Sequence, residues 1–131
     1  MEILWSVVAV VAGFVVMAVV VMISSIAAAK VFDLPLRPAA DAPAPAPSRP
    51  YLAVNLTTGL IAAIVGGAVT GCLAHRNIML HAMALALLVA GMGVLSARTP
   101  QPGQPAWYGL IITAIGAVGA LIGGWLCTRG L

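Results

Sequence analysis

Residues 3–29 read ILWSVVAVVAGFVVMAVVVMISSIAAA, and this stretch contains no charged side chain. A helix needs about 20 predominantly apolar residues to cross the hydrocarbon core of a bilayer, which is about 30 Å thick, because each residue rises about 1.5 Å. The stretch is longer than that. In hydrocarbon, a single apolar segment can satisfy its own backbone N–H and C=O groups only as a helix. The stretch therefore predicts a membrane-spanning helix over about 4–29.

Three further uncharged stretches follow the first. The chain is 63% hydrophobic and only 7% charged, whereas about a quarter of the residues of a soluble domain are charged. Its few charged residues separate apolar runs that are each long enough to span a bilayer. These runs predict three more helices, over about 51–74, 78–97 and 106–127. The sequence thus predicts an all-α fold, an integral membrane four-helix bundle that forms a single membrane domain over residues 1–131.

The connections between the helices predict two antiparallel transmembrane hairpins. The loop 31–50 is rich in proline and alanine, and because proline fixes φ and lacks an N–H donor, we expect an extended, solvated spacer there. Only residues 75–77 separate the second and third helices, and so short a connection predicts an antiparallel pair of adjacent helices. Aromatic residues mark the predicted membrane boundaries, where we interpret them as interfacial anchors: Tyr51, Trp107 and Tyr108 on the side of the proline loops, Trp5 and Trp125 on the side of the termini.

The orientation in the membrane is predicted from two opposing indications. The side with the proline-rich loops carries four Lys and Arg residues and the side with the termini carries two, so the positive-inside rule favours termini outside. An alanine-proline loop is typical of an external segment, and bundles with an even number of helices usually keep both termini in the cytoplasm. The sequence-based prediction follows this second indication and places the termini in the cytoplasm.

Small residues recur at four-residue spacing on the second and fourth predicted helices and, as Ala82, Ala86 and Ala90, on the third, which places them on one face of each helix. In lipid there is little hydrophobic drive between helices, so close approach of small-faced backbones decides which helices pack together. We expect the second, third and fourth helices to form a tight centre and the first helix to be peripheral. The predicted packing residues are Gly59, Ala63, Gly67, Gly71, Gly116, Ala120 and Gly124.

A few polar residues fall inside the predicted spans, and these are Asn55, Thr57, Thr58 and Thr113. They either hydrogen-bond to a neighbouring helix or line a polar path. Proton-coupled export would need an ionisable side chain within the bilayer, but the only glutamate, Glu2, lies at the terminus. No catalytic triad, pair of carboxylates or phosphate-binding loop can be assembled from the remaining residues. The sequence predicts a protein that is not an enzyme and that needs no cofactor.

Two cysteines and two histidines, Cys72, His75, His81 and Cys127, lie at the same end of the predicted bundle. Such a set could bind a metal ion tetrahedrally, the histidines could bind haem, or the cysteines could form a disulfide. The polar residues also suit a hairpin turn, and cysteine is a common small packing residue. We predict that no metal binds, and these four residues are the candidates if one does.

The succession of a valine-rich helix, a proline-bearing loop and three helices rich in glycine and alanine resembles small bacterial tetraspan membrane proteins. This resemblance covers the whole chain, implies a bacterial inner membrane and supplies no function. Our leading hypothesis is a non-enzymatic structural or accessory subunit of a larger membrane complex. Its partners would be the lipid bilayer and other membrane subunits or a second copy of itself. Nucleic acid is not expected, because the arginines are scattered singly.

Two other functions fit the same sequence. One is a small homodimeric pore or carrier for a neutral or anionic solute, in which Asn55, Thr57, Thr58 and Thr113 line the path. The other is a sensor that uses the cysteine and histidine residues.

Overall fold

The computed structural model describes residues 2–33, 48–99 and 105–130. Most of the predicted loop 31–50 and much of the loop before the fourth helix lie outside these residues. The described part contains no strand and forms four helices: α1 (Glu2–Val31), α2 (Arg49–Leu73), α3 (Ile78–Ala97) and α4 (Ala106–Thr128). All four are long and apolar enough to cross a membrane. The protein is therefore an all-α, multi-pass membrane protein, and the predicted four-helix bundle is confirmed.

The ends of α2 are determined by local backbone chemistry. The Ser48 hydroxyl accepts a hydrogen bond from the backbone N–H of Tyr51 at 3.4 Å, which satisfies one of the donors left free in the first turn. After α2 the chain reverses within four residues. In this turn His75 and Asn77 adopt left-handed φ angles of 48° and 52°, a conformation that is uncommon for residues other than glycine. The turn delivers α3 antiparallel to α2.

The four helices alternate in direction, so the bundle has two distinct ends. One end, here called the termini face, contains the start of α1, the turn 74–77 and the end of α4; there the Arg76 guanidinium lies 3.5 Å from the Glu2 carboxylate. The other end, the proline face, contains residues 31–33, 48–50, 98–99 and 105. At this end the rings of Phe32 and Tyr51 meet edge to face, with their centroids 5.8 Å apart.

The two most extensive contacts between described helices are those of α4 with α2 and of α4 with α3. α2 and α3 contact each other much less, although only a short turn joins them, and α1 packs mainly on α2. In α1 only 11% of the most apolar 18-residue stretch is buried, against 22–28% of the corresponding stretches in the other helices. α1 still contributes to the core, which consists of Leu85, Ala86, Val89 and Ala120 surrounded by Val10, Phe14, Met17, Ala117 and Leu121.

Large apolar side chains point outward on every helix. Val15, Leu87 and Leu110, for example, are 51%, 71% and 65% exposed. A soluble protein rarely presents continuous apolar surface over its whole circumference. Inside a bilayer the same side chains contact lipid, and the backbone polar groups are satisfied within each helix. The outer surface of the bundle is therefore suited to hydrocarbon.

Candidate functional site

The interface between α2 and α4 brings two helix backbones into direct contact. A Cβ atom built on Gly67 would overlap the carbonyl oxygen of Ala120, and one built on Gly123 would overlap the carbonyl oxygen of Ile64. Real Cβ atoms do not occupy such positions, so only glycine fits here without separating the helices. Gly67 and Ala120, two of the predicted packing residues, thus lie against each other.

The other predicted packing residues divide according to their depth in the bundle. Toward the termini face, a Cβ on Gly71 would lie 3.3 Å from the Gly124 Cα, and Gly124 itself abuts Ala82 of α3. Ala63 is fully buried beside Gly119. Toward the proline face the contact between α2 and α4 loosens at Gly59.

Gly59 marks this looser contact, whereas Gly116 lies close to α3. A Cβ on Gly59 would meet only the Ile112 side chain, at 3.9 Å, and a Cβ on Gly116 would meet Val89 of α3 at 2.8 Å. The helices therefore diverge around Gly59.

A cavity of about 210 Å³ lies where the helices diverge. All four helices contribute to its lining, with Met17 from α1 and Val89 from α3 among the apolar members. Three of the four residues predicted to line a polar path, Asn55, Thr58 and Thr113, line this one cavity. No charged residue of the described segments does so.

The fourth residue of the predicted path, Thr57, is placed elsewhere. Its side chain is exposed on the outside of α2, and its hydroxyl donates to the carbonyl oxygen of Ala53 at 2.9 Å.

The two threonines of the cavity direct their protons to the backbone. The Thr58 hydroxyl lies 3.0 Å from the Val54 carbonyl oxygen and 3.1 Å from that of Asn55. The Thr113 hydroxyl donates to the Gly109 carbonyl oxygen at 2.7 Å. A hydroxyl has one proton and two acceptor lone pairs, so both threonine oxygens retain acceptor capacity.

Asn55 is held by a residue whose role sequence reasoning missed. The side-chain amide of Asn55 donates to the Tyr108 hydroxyl, and Tyr108 is only 3% exposed. We predicted Tyr108 to be an interfacial anchor, as expected for a tyrosine in the first turn of a spanning helix. A usable signal was that an asparagine inside a span needs a partner, and that Tyr108 lies in the first turn of its helix on the same side of the membrane as Asn55.

A buried threonine marks the contact between α1 and α2. Thr70 is fully buried, and its hydroxyl oxygen has no hydrogen-bond partner among the described residues. A Cβ on Gly13 would overlap this oxygen, and a Cβ on Gly66 would lie 2.8 Å from the Gly13 carbonyl oxygen. Glycines on both helices therefore let α1 approach α2 closely.

The two cysteines of the candidate metal-binding set are joined to each other. Cys72 and Cys127 form a disulfide, with Cα atoms 5.8 Å apart, that joins α2 to α4 at the termini face. This is one of the arrangements that the sequence left open, and in it the sulfurs are not thiolate ligands. The His81 Nδ1 lies 3.0 Å from the Asn77 carbonyl oxygen. The described residues contain no group of three or more His, Cys, Asp and Glu side chains placed to hold a metal ion.

An open groove of about 570 Å³ adjoins this region, with Glu2, Trp5, His75 and Arg76 among its lining residues. The Glu2 and Arg76 side chains are 88% and 84% exposed. Exposed ion pairs of this kind contribute little to stability, because water screens both charges. The groove is therefore a solvated polar surface at the membrane boundary.

Comparison of the chain with protein-family models, with curated proteins and with solved structures finds no match in any of the three. Function is therefore inferred from the contacts of the described residues.

Proposed function

We propose that the protein is a non-enzymatic structural or accessory subunit of a larger membrane complex. The observation that carries this proposal is the closed interior of the half of the bundle nearest the termini face. There Ala82 and Leu85 are fully buried, and the backbones of Gly67 and Ala120 touch. A solute path needs room and polar groups across the whole membrane. In the described part of a single bundle, such a path would be blocked by the packed layer of these residues.

The small residues of α2 and α4 indicate which helix faces pack within the bundle and which are left for a partner. Gly67, Gly71 and Gly123 face neighbouring helices of the same chain, so we propose that small-xxx-small packing holds the protein's own bundle together. A partner subunit would then contact an outer face. α1 presents the most continuous one, with Val11 and Val15 each 51% exposed. The described part of α1 is also the least buried of the four helices.

Native electrophoresis after extraction in a mild detergent tests the proposal. We expect the chain to migrate in an assembly larger than itself and to co-purify with a constant set of membrane proteins. Val15→Trp on the outer face of α1 should diminish the assembly. Leu87→Trp, on the lipid-exposed surface of α3, is the matched control and should leave it intact. A wild-type chain that always migrates as a lone monomer would refute the proposal.

A second candidate function is the small homodimeric pore or carrier for a neutral or anionic solute. The grouping of Asn55, Thr58 and Thr113 around one cavity favours it, but the path would have to continue between two protomers. Flux through liposomes that contain the purified protein is the discriminating measurement. Flux that is unchanged by Asn55→Ala and Thr113→Val would show that these residues do not line the path.

We further propose that the termini face lies on the oxidising side of the membrane. Structural disulfides form and persist in oxidising compartments, and the Cys72–Cys127 disulfide lies at this face. The distribution of Lys and Arg supports the same orientation, which reverses the orientation predicted from the sequence. The membrane itself, by the resemblance given above, would be a bacterial inner membrane.

Fusion reporters test this orientation. Alkaline phosphatase becomes active only where its disulfides form, so a fusion at the C-terminus should be active, whereas a fluorescent protein that requires the cytoplasm should be dark there. The reverse pattern would place the termini in the cytoplasm.

A further inference from the structure

We propose that the cavity lined by Asn55, Thr58 and Thr113 is a binding site for a small, membrane-soluble molecule that carries a hydroxyl group, such as a phenol. This inference goes beyond the proposed function and does not depend on it.

The depth of the cavity determines which molecules can occupy it. Gly59 and Gly116 each lie ten residues after the start of their helix, Arg49 and Ala106 respectively. At about 1.5 Å per residue this is about 15 Å from the proline face, close to the middle of a hydrocarbon core about 30 Å thick. An occupant at this depth is surrounded by hydrocarbon and must therefore be soluble in it.

The size of the half-open cavity suits an occupant of about one ring. An apolar protein cavity of about 150 Å³ is sufficient to bind benzene, and this cavity measures about 210 Å³. Most of its lining is apolar, including Met17, Val89 and Ile112. A mostly apolar wall with a few convergent polar groups is typical of a small-molecule site.

The polar groups of the lining favour a donor on the ligand. The hydroxyl protons of Thr58 and Thr113 point to backbone carbonyl oxygens, so their oxygens offer acceptor lone pairs. The side-chain amide of Asn55 donates one N–H to the Tyr108 hydroxyl. The side-chain carbonyl oxygen of Asn55 can then accept a hydrogen bond, and the second N–H can donate one. A ligand hydroxyl can donate to these acceptors. A ligand of the same shape without the hydroxyl would leave them unsatisfied away from water, which costs affinity.

Fluorine NMR titration of the purified full chain in lipid nanodiscs tests the site with two matched probes, 4-fluorophenol and 4-fluorotoluene. Empty nanodiscs measure the partitioning of each probe into lipid. We expect saturable binding of 4-fluorophenol, with an affinity roughly tenfold higher than that of 4-fluorotoluene; this factor corresponds to about 1.4 kcal/mol, the upper end of what one hydrogen bond contributes.

Two pairs of variants locate the site. Gly59 lines the cavity, and a Cβ at this position meets only the Ile112 side chain, at 3.9 Å, so Gly59→Leu places a side chain in the cavity. Gly91→Leu on α3 is the matched control, because a Cβ there meets nothing within 4 Å. Thr58→Val removes one acceptor, and Thr57→Val makes the same change on the exposed side of α2. We expect Gly59→Leu to abolish saturable binding and Thr58→Val to lower the affinity for 4-fluorophenol several-fold. Both control variants should bind the probes as the wild type does.

Three results would overturn the inference. Binding that never saturates above the level of empty nanodiscs would show partitioning only. Equal affinity for the two probes would show that the site does not select a hydroxyl. Binding that survives Gly59→Leu would place the site elsewhere. If Gly59→Leu does not fold, the comparison of Thr58→Val with Thr57→Val still decides whether the site binds through this hydroxyl.

Discussion

The same substitution at two helical glycines should change stability in opposite directions. Gly67 is buried where α2 meets α4, and a Cβ added there would overlap the backbone of Ala120; Gly91 is exposed on α3, and a Cβ added there meets nothing within 4 Å. Glycine to alanine in a helix interior gains about 0.5–1 kcal/mol of intrinsic helix stability at either position. Only Gly67→Ala also forces two helices apart.

The expected loss at Gly67 follows from the close packing. If the contact zone around Gly67 and Ala120 contains about as many atom pairs as a buried leucine, about 40, its dispersion energy is about 4–8 kcal/mol. A gap of 0.5–1 Å loses about a quarter to a half of that, or about 1–4 kcal/mol. After the gain in helix propensity of about 0.5–1 kcal/mol, we expect Gly67→Ala to destabilise the protein by up to about 3.5 kcal/mol and Gly91→Ala to stabilise it slightly.

Unfolding of each purified variant in mixed micelles, titrated with sodium dodecyl sulfate and followed by tryptophan fluorescence, measures the difference. Gly67→Leu should add to the loss, because its side chain is larger still. Equal midpoints for Gly67→Ala and Gly91→Ala would show that the backbones of α2 and α4 do not touch, and the reasoning about this interface would fail.

Three more perturbations test other contacts. The Cys72–Cys127 disulfide links residues 55 apart, so its reduction, or Cys72→Ser, should destabilise the bundle by up to about 4 kcal/mol in the chain-entropy model, and alkylation of the unreduced protein should find both thiols protected. A double-mutant cycle of Asn55→Leu and Tyr108→Phe should give a coupling of about 0.6–1.7 kcal/mol, the range for hydrogen bonds between membrane helices; additivity of the two changes would contradict the hydrogen bond. Arg76→Gln should leave the unfolding midpoint unchanged, because its ion pair is exposed to solvent, and a marked drop would show that the pair is shielded.

The helices could be predicted from the sequence because charge excludes a residue from hydrocarbon. The predicted third helix, 78–97, has the bounds observed for α3, and α1 extends two residues beyond its predicted range at each end. Glu2 and Lys30 lie in these extensions, at the ends of α1. Such boundaries depend on the position of each residue relative to the membrane, which one sequence encodes directly.

The lateral order of the helices was harder to predict. The short turn at 75–77 specifies that α2 and α3 are antiparallel, but α4 takes most of the contact surface of both. Loop length limits how far apart two helix ends can lie and does not determine which helix packs beside them. The glycines of α2 and α4, at positions such as 67 and 123, carry that information through their shape.

The site was only partly predictable, because its parts are far apart in the sequence. Asn55 and Thr113 were recognised as polar residues inside spans, yet the partner of Asn55 lies 53 residues away in Tyr108. Met17 enters the cavity from α1, the helix we expected to be peripheral. The pairing of the two cysteines likewise required the register between α2 and α4. A single sequence places residues along helix axes and leaves the rotation of each helix open.

The position of α4 between α2 and α3 has a consequence for biogenesis. During synthesis the first three helices leave the ribosome before the fourth, so the glycine face of α2 has no matching surface until α4 is inserted. A three-helix intermediate would present this face to lipid or to an insertion chaperone. The fourth helix must then enter sideways between two neighbours that are already tethered to each other. We therefore expect late insertion of α4 to be the step at which assembly of this protein is most vulnerable to error.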